Sequence, residues 1–379
     1  MQRVLPRTVV AFIFAALLGA CSDDSDEFET DPTAAFRLNQ LQYLGTHNSY
    51  HIEPPADIFE LLLAFDPGLA NTLLYSHIPL PEQFTGQGIR QIELDIFDDP
   101  DGGLYANRPI RTLFGEPAAS GIPELDEPGL KVLHVQDVDY ETTCLTFVLC
   151  LQEIKNWSDA NPSHLPITVL VEAKDSVIPD PLDLGFIEPL PIGPEALDRI
   201  DSEIRSVFPD EQLILPDDVR GDFTTLEEAV LTRGWPTLAD ARGKVLFALD
   251  NGGSVRDMYV EGHPSLAGRV LFTDSPAGTP EAAFMKINNP VSGFDAIQEA
   301  VLQGYIVRTR ADADTAQSRS GDTTQRDTAL ASGAQFISTD YPVPDPRFTD
   351  YSVEIPGDGI ARCNPLAPGE CSDDVVLDF

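Results

Sequence analysis

Short, nearly continuous apolar runs recur along this chain, and most of them end in a polar or charged side chain. Runs of that kind suit strands covered on both faces, because a strand with one wet face would alternate instead. They fall at residues 41–48, 90–97, 131–136, 167–174, 244–250, 270–274, 305–310 and 335–340. Helical patterns occupy intervals between them at 58–65, 151–160, 194–207, 225–233 and 293–303. This alternation predicts a single-domain α/β fold, a TIM-type (β/α)8 barrel. Residues 284–288 compete for a place in the strand count, since the pattern over 255–290 is irregular.

In a barrel the C-terminal ends of the strands meet at one mouth. That would gather His47 and Asn48, Glu93 and Asp95, His134, Glu172, Asp250, Arg308 and Arg310, and Asp340. Helix caps explain polar residues at one or two strand ends, but not at so many. In "IRQIELDIF", Glu93 and Asp95 are two residues apart and share one strand face, with Ile92, Leu94 and Ile96 on the other. Two carboxylates facing the same way repel unless something positive sits between them, and a divalent cation is the economical solution. Asn48 and Glu172 would add two more hard oxygen donors, a set that suits calcium and, less readily, magnesium. His47 and His134 are left as proton carriers, because an imidazole titrates near neutrality. His51, His77, His164 and His263 read as structural.

The ordered set "GTHNSY", "IELDIF", "VLH" and "ITVLVEAK" resembles the catalytic half of the phosphatidylinositol-specific phospholipase C family. The likeness is to its calcium-dependent bacterial branch, within the PLC-like phosphodiesterase superfamily. It covers residues 40–174 well and the second half more loosely, through "VRTRADADT" and "AQFISTDYP". The resemblance implies that Asn48, Glu93, Asp95 and Glu172 bind calcium. It implies that His134 protonates the departing glycerol oxygen, and that His47 stabilises the phosphorane or acts as base on the inositol 2-hydroxyl. Glu93 is the other base it allows. The reaction implied is cleavage of phosphatidylinositol to diacylglycerol and a cyclic inositol phosphate. Asp95 stands where the calcium-independent branch has an arginine, so an ion has to supply the positive charge there. Lys174, Arg308 and Arg310 are expected to hold the phosphate or inositol hydroxyls, or else to form interior ion pairs with Asp312 or Asp340. Two rival readings remain. A glycerophosphodiester phosphodiesterase shares the barrel, the Glu-x-Asp pair and a metal, but usually carries His-Arg where this chain has His47-Asn48. A surface lipoprotein that binds calcium or lipid without turnover is the other.

Arg3 and Arg7 precede an apolar run at 9–20 that is too short to span a bilayer as a stable helix. Leu18-Gly19-Ala20 then leads into Cys21, so residues 1–20 read as a signal peptide with a lipobox. Cleavage before Cys21 and acylation of its sulfur are expected, with ordinary cleavage the alternative. Residues 22–35 form an acidic tether, 36–355 the barrel, and 356–379 a disulfide-containing tail. The expected location is outside the cytoplasm, anchored by lipid to the cell envelope, and Ser22 favours the outer membrane. The expected partners are a phosphoinositide or other phosphodiester lipid and the membrane surface reached through the anchor.

A formal net charge of −38 argues against nucleic acid and against a polybasic membrane patch. No glycine-rich strand-to-helix turn offers a nucleotide site. Two close cysteine pairs, Cys144 with Cys150 and Cys363 with Cys371, suggest local disulfides in an exported chain, and no nearby histidine supports zinc. Apolar residues between the first two strands and in "LYANRPIRTLFGEP" lie near the mouth. They read as core packing or a loop closing over the barrel, with contact to lipid the alternative. Nothing in the sequence reports the oligomeric state.

Overall fold

The computed structural model describes residues 36–357 and 359–366. The expected signal peptide, Cys21, the expected tether and Cys371 lie outside them. Among the described residues are ten strands: β1 (Leu41–Thr46), β2 (Gln91–Phe97), β3 (Lys131–Val132), β4 (Ile167–Ala173), β5 (Val245–Leu249), β6 (Leu271–Thr273), β7 (Phe284–Lys286), β8 (Ile306–Arg310), β9 (Phe336–Thr339) and β10 (Ala361–Cys363). Eight are parallel, in the order β6-β5-β4-β2-β1-β9-β8-β7. A parallel bridge between Asp274 and Phe284 joins the two ends and nearly closes the barrel.

The strand count of eight holds, but its membership changes. The stretch expected at 131–136 yields only β3, which pairs antiparallel with β2 and stands off the barrel. β2 instead pairs directly with β4 over Gln91–Ile96, which leaves no parallel place for β3. The chain turns sharply after Val132: Val135 and Asp139 bridge each other, and Asp137 adopts φ 66°. The competing segment, Phe284–Lys286, supplies the eighth parallel strand instead, paired with β8.

The apolar strands do as their composition requires. In β4, Ile167, Val169, Leu170 and Val171 are all fully buried, as expected of a parallel sheet covered on both sides. The helix Pro194–Val207 shows the complementary pattern. Ala196, Leu197, Ile200 and Ile204 face inward at helical spacing, and Pro194 opens the helix where its missing N–H is harmless. Each of the leucine and isoleucine side chains contributes roughly 1.5–3 kcal/mol by leaving water.

β1 starts before β2 does, so Leu41–Tyr43 lack a neighbour on that side. β10 fills the gap antiparallel, pairing Leu41 with Cys363, and so covers an otherwise open edge. Inside the barrel a polar layer crosses from strand to strand. Gln91 reaches over Gly45, where a Cβ would meet its Oε1 at 2.0 Å, and accepts a hydrogen bond from Ser338. A side chain at position 45 would therefore displace the layer on which the mouth is built.

The disulfide Cys144–Cys150 is present, and it staples the turn before the helix Phe147–Ala160. The expected Cys363–Cys371 pairing involves Cys371, outside the described residues. Among the described residues, no helix is long and apolar enough to cross a membrane.

Candidate active site

The ends of β1, β2, β4, β5, β8 and β9 carry the site. His47 follows β1, and its Nδ1 lies 2.8 Å from Asp340 Oδ1 just beyond β9. His47 Nε2 lies 3.2 Å from Arg310 Nη1, a group that can only donate. The ring nitrogen facing Arg310 must therefore carry a lone pair, which puts the single proton on Nδ1, donated to Asp340. Burial pushes His47 down to about 3, and the Arg310 guanidinium adds to that against the pull of Asp340. His47 is thus a neutral imidazole with a fixed tautomer. Arg310 Nη2 also binds Asp340 Oδ2 at 3.1 Å, and the Asp340 main-chain N–H donates to Asp312 Oδ1.

The second proton carrier is built differently. His134 does not close a barrel strand; it lies in the turn after β3, with Nδ1 2.5 Å from Asp139 Oδ2. Asp139 is shared with His51, whose Nε2 lies 2.9 Å from Asp139 Oδ2 and whose Nδ1 lies 3.0 Å from the Tyr75 carbonyl. Both nitrogens of His51 therefore face acceptors, so the ring carries two protons. Burial lowers its proton affinity, but the Asp139 carboxylate outweighs this and raises it. Asp139 is held down at about 2: burial raises it, and the two histidines more than reverse that. His51 is structural as expected, yet it also fixes the residue that orients His134. His77 supports the site through the backbone, with Nε2 2.9 Å from the His47 carbonyl.

Between these pairs lies an oxygen-rich cluster. Ligand oxygens of Glu93, Glu172 and Asp250 come within 4.8 Å of one another. Asp95 is register partner of Glu172, and Ser49, next to Asn48, hydrogen-bonds the Glu93 main chain in both directions. All four expected ligands are therefore gathered at one mouth, with Asp250 as an addition. Three cations partly offset the carboxylates: Arg308 pairs with Glu93, Lys174 with Asp95 at 2.8 Å, and Lys286 with Asp250. Even so, burial and the neighbouring acids push Glu93 up to about 8 and Glu172 up to about 7. Asp95 is lowered: burial opposes this, but Lys174 prevails.

The cluster fits a hard cation. Asn48 Oδ1, Asp95 Oδ1 and Asp250 Oδ1 are buried with no hydrogen-bond partner. Asn48 takes φ 43°, and its amide nitrogen donates to the Tyr75 hydroxyl at 3.0 Å, which fixes the carbonyl oxygen on the other side. Such orphaned oxygens are costly to bury unless something binds them. A set of carboxylate and amide oxygens with no sulfur or imidazole suits calcium.

The three expected substrate-binding cations are all engaged in ion pairs. Arg308 is enclosed: its Nε donates to Ser338 Oγ, Nη1 to Asn288 Oδ1, and Nη2 to Glu93. The interior pairing foreseen for it was with Asp312 or Asp340, whereas its partner is Glu93. Arg310 does pair with Asp340, and it alone of the two arginines lines the cavity at the mouth. Asp139 and Lys286 were not singled out in the sequence. Asp250 is legible as a strand end but lies outside the expected ligand set, and Asp340 is legible as a strand end and an ion-pair partner but not as the partner of His47.

A nearly closed parallel barrel, with two histidine–aspartate pairs beside an oxygen-rich cation site at its C-terminal mouth, defines a phosphodiester-cleaving barrel enzyme. The model of the family "Phosphoinositide phospholipase C, Ca2+-dependent" matches residues 36–365. The chain belongs to that family, whose members are calcium-dependent phosphoric diester hydrolases. A search of curated proteins found no match. Among solved structures, the chain is similar to a calcium-dependent phosphoinositol-specific phospholipase C from a Gram-negative bacterium, Pseudomonas sp. The apo form gives 16% identity and TM-score 0.50, over 82% of this chain and 92% of that one. A myoinositol complex of the Pseudomonas protein gives 16% and 0.50, over 81% and 91%. A calcium-dependent phosphatidylinositol-specific enzyme from Streptomyces antibioticus gives 18% and 0.49, over 81% and 96%.

Proposed function

We propose that this protein cleaves phosphatidylinositol by attack of the inositol 2-hydroxyl on phosphorus, releasing diacylglycerol and a 1,2-cyclic inositol phosphate. The observation that carries this reading is that two histidines, each held through Nδ1 by an aspartate, face one cavity at the mouth. His47 offers a lone pair on Nε2, and His134 is oriented by Asp139 with its other nitrogen left for the cavity. In this reading His47 accepts a proton, and His134 enters the cycle with both ring nitrogens protonated and gives one.

His47 Nε2 takes the 2-hydroxyl proton as the new P–O bond forms. The bond from phosphorus to the glycerol oxygen breaks, and His134 delivers a proton to that oxygen. The histidines have then exchanged roles, and the reverse transfers hydrolyse the cyclic ester when water replaces the alcohol. Arg310 is the donor that leaves His47 for a phosphate oxygen when substrate arrives, which frees Nε2. Glu93 is the weaker choice of base because Arg308 already holds it. Asn48, Glu93, Asp95, Glu172 and Asp250 would hold the calcium. When bound, that ion supplies positive charge against the phosphate oxygens and acidifies the attacking hydroxyl.

Export and lipid anchoring at Cys21 belong to the same proposal, motivated by the segment ending at Leu18-Gly19-Ala20. Loss of palmitate labelling in Cys21→Ser would support them, and a labelled variant would sink them.

The catalytic test is phosphorus NMR on phosphatidylinositol with calcium, with chelator, and with Asp95→Asn. A cyclic inositol phosphate formed only by the native chain with calcium supports the reading. Turnover of glycerophosphodiesters with free glycerol phosphate as product would replace it.

A further inference from the structure

A cavity of about 640 Å3 adjoins the mouth, with His47, His134 and Arg310 at one end. Much of the remaining wall is hydrocarbon, chiefly Leu61, Leu62, Leu73, Val138, Leu184 and Phe186. Its floor continues into a second apolar cluster, apart from the barrel core, built on Ile58, Phe97, Ile110 and Leu133. The apolar residues noted before β2 and in the 104–117 stretch therefore do pack, but around a space.

Three segments form the walls, and each is tied down. They are the helices α1 (Ala56–Phe65) and α2 (Pro67–Thr72), the 3-10 turn Pro109–Phe114, and the loop after β4. Arg111 binds Asp57 of α1 at 3.0 Å and also Glu116. Asp180 accepts the main-chain N–H groups of Leu184, Gly185 and Phe186, and Asp137 accepts that of Ile187 at 2.7 Å. The cavity is thus already formed before anything enters it, and its size is that of sites which enclose a small ligand.

Its polarity matches an amphiphile. Arg310, Asp340 and the two histidines form a polar, hydrogen-bonding end, and the leucine-lined wall beyond them is hydrocarbon. The outer lip is apolar too, with Phe65 61% and Leu69 48% exposed. However, Asp66, Asp180 and Asp314 stand among those residues, and the whole chain carries −38. Carboxylates at the lip oppose burial in an anionic lipid surface, whereas they do not affect a chain drawn inside.

We propose that the cavity receives one hydrocarbon chain of the leaving-group alcohol. The enzyme then takes its substrate as a single amphiphile and reads chain length within its own walls. This deepens the function proposed above and rests on it for the identity of the head group.

The test uses 1-O-alkylglycerols from butyl to decyl as neutral leaving-group analogues, kept monomeric and titrated into the soluble chain by calorimetry with calcium present. Kd should fall about fourfold for each added methylene until the chain fills the cavity. Leu62→Trp and Leu69→Trp, each checked for native thermal unfolding, should flatten that series. The same series of alkyl esters of inositol 1-phosphate should then show kcat/KM rising with length below the aggregation concentration. Kd independent of chain length would overturn the inference. So would kcat/KM that rises only once aggregates form. Length-dependent binding without cleavage of any inositol ester would keep the cavity assignment and remove the head-group assignment instead.

Discussion

Asp340→Asn removes one charge and keeps the shape, so its effect isolates what the carboxylate does. Asp340 accepts from His47 Nδ1 at 2.8 Å through one oxygen and from Arg310 at 3.1 Å through the other. An amide can satisfy only one of these donors. With its oxygen towards His47, the NH2 group meets the Arg310 guanidinium donor to donor. Turned round, it donates to Nδ1, forces the His47 proton onto Nε2, and removes the lone pair the reaction uses. Either orientation also leaves Arg310 less compensated, 3.2 Å from His47 Nε2.

A positioned general base is worth roughly 100- to 10,000-fold. The expectation is therefore a fall in kcat of about 1,000-fold, with calcium affinity unchanged because Asp340 is outside the ligand set. Breaking a buried ion pair by removing one partner costs about 3–5 kcal/mol. One acceptor survives in the amide, so a loss near the lower end, about 3 kcal/mol, is expected. The sign with pH follows from the carboxyl being held below its usual range, where His47 and Arg310 outweigh burial. Its stabilisation is complete above the unfolded carboxylate value, about 4, and fades only as pH falls below it. Turnover at saturating phosphatidylinositol and calcium gives the first number, and thermal unfolding from neutral to acid pH gives the second. A variant with kcat within tenfold of native would refute the role given to the His47–Asp340 pair.

Asp95→Asn and Asp250→Asn should each weaken calcium binding by at least about tenfold in calorimetry, since affinity follows the charge of the oxygen set. Native affinity in Asp250→Asn would take that residue out of the site. Calcium at about 100 times its Kd should stabilise the native chain by about 2.7 kcal/mol, visible as a higher Tm that Asp95→Asn largely loses. Burial pushes Glu203 up to about 7, so its folded value lies above its unfolded one and the chain loses stability as pH rises between them. Glu203→Gln keeps an acceptor for the Leu130 N–H, now 3.0 Å away, and should melt higher than native at about pH 8 and equally at about pH 4. Phe97→Ala, in the apolar cluster beneath the cavity, should cost about 3–5 kcal/mol in denaturant unfolding; a loss under 1 kcal/mol would mean that cluster is not a packed core.

What the sequence made legible were properties set locally. A fully buried strand announces itself by composition, and Glu93 and Asp95 share a face because they are two residues apart, whatever their neighbours. The oxygen donors could therefore be picked out before any pairing was known. Strand membership could not. β3 and β7 are two and three residues long, and no pattern that short separates a barrel strand from a stub. The decision came from β2 pairing with β4 along six positions, a fact about partners and not about either segment.

The same limit applies to the site. His47 and Asp340 are 293 residues apart, and with 62 acidic residues in the chain no single aspartate stands out as a partner. Asp139 was closer at hand, five residues after His134, but its use depends on the turn through Asp137 and on His51 arriving from the first loop. Arg308 and Arg310 make the point most directly. Both stand on one strand with one residue between them, so their spacing assigns them equivalent tasks. Arg308 is sealed by Ser338, Asn288 and Glu93, while Arg310 sits one layer nearer the mouth beside His47. Depth along the barrel axis separates a residue that holds the acidic cluster together from one that can meet a phosphate, and depth is fixed only when the barrel closes.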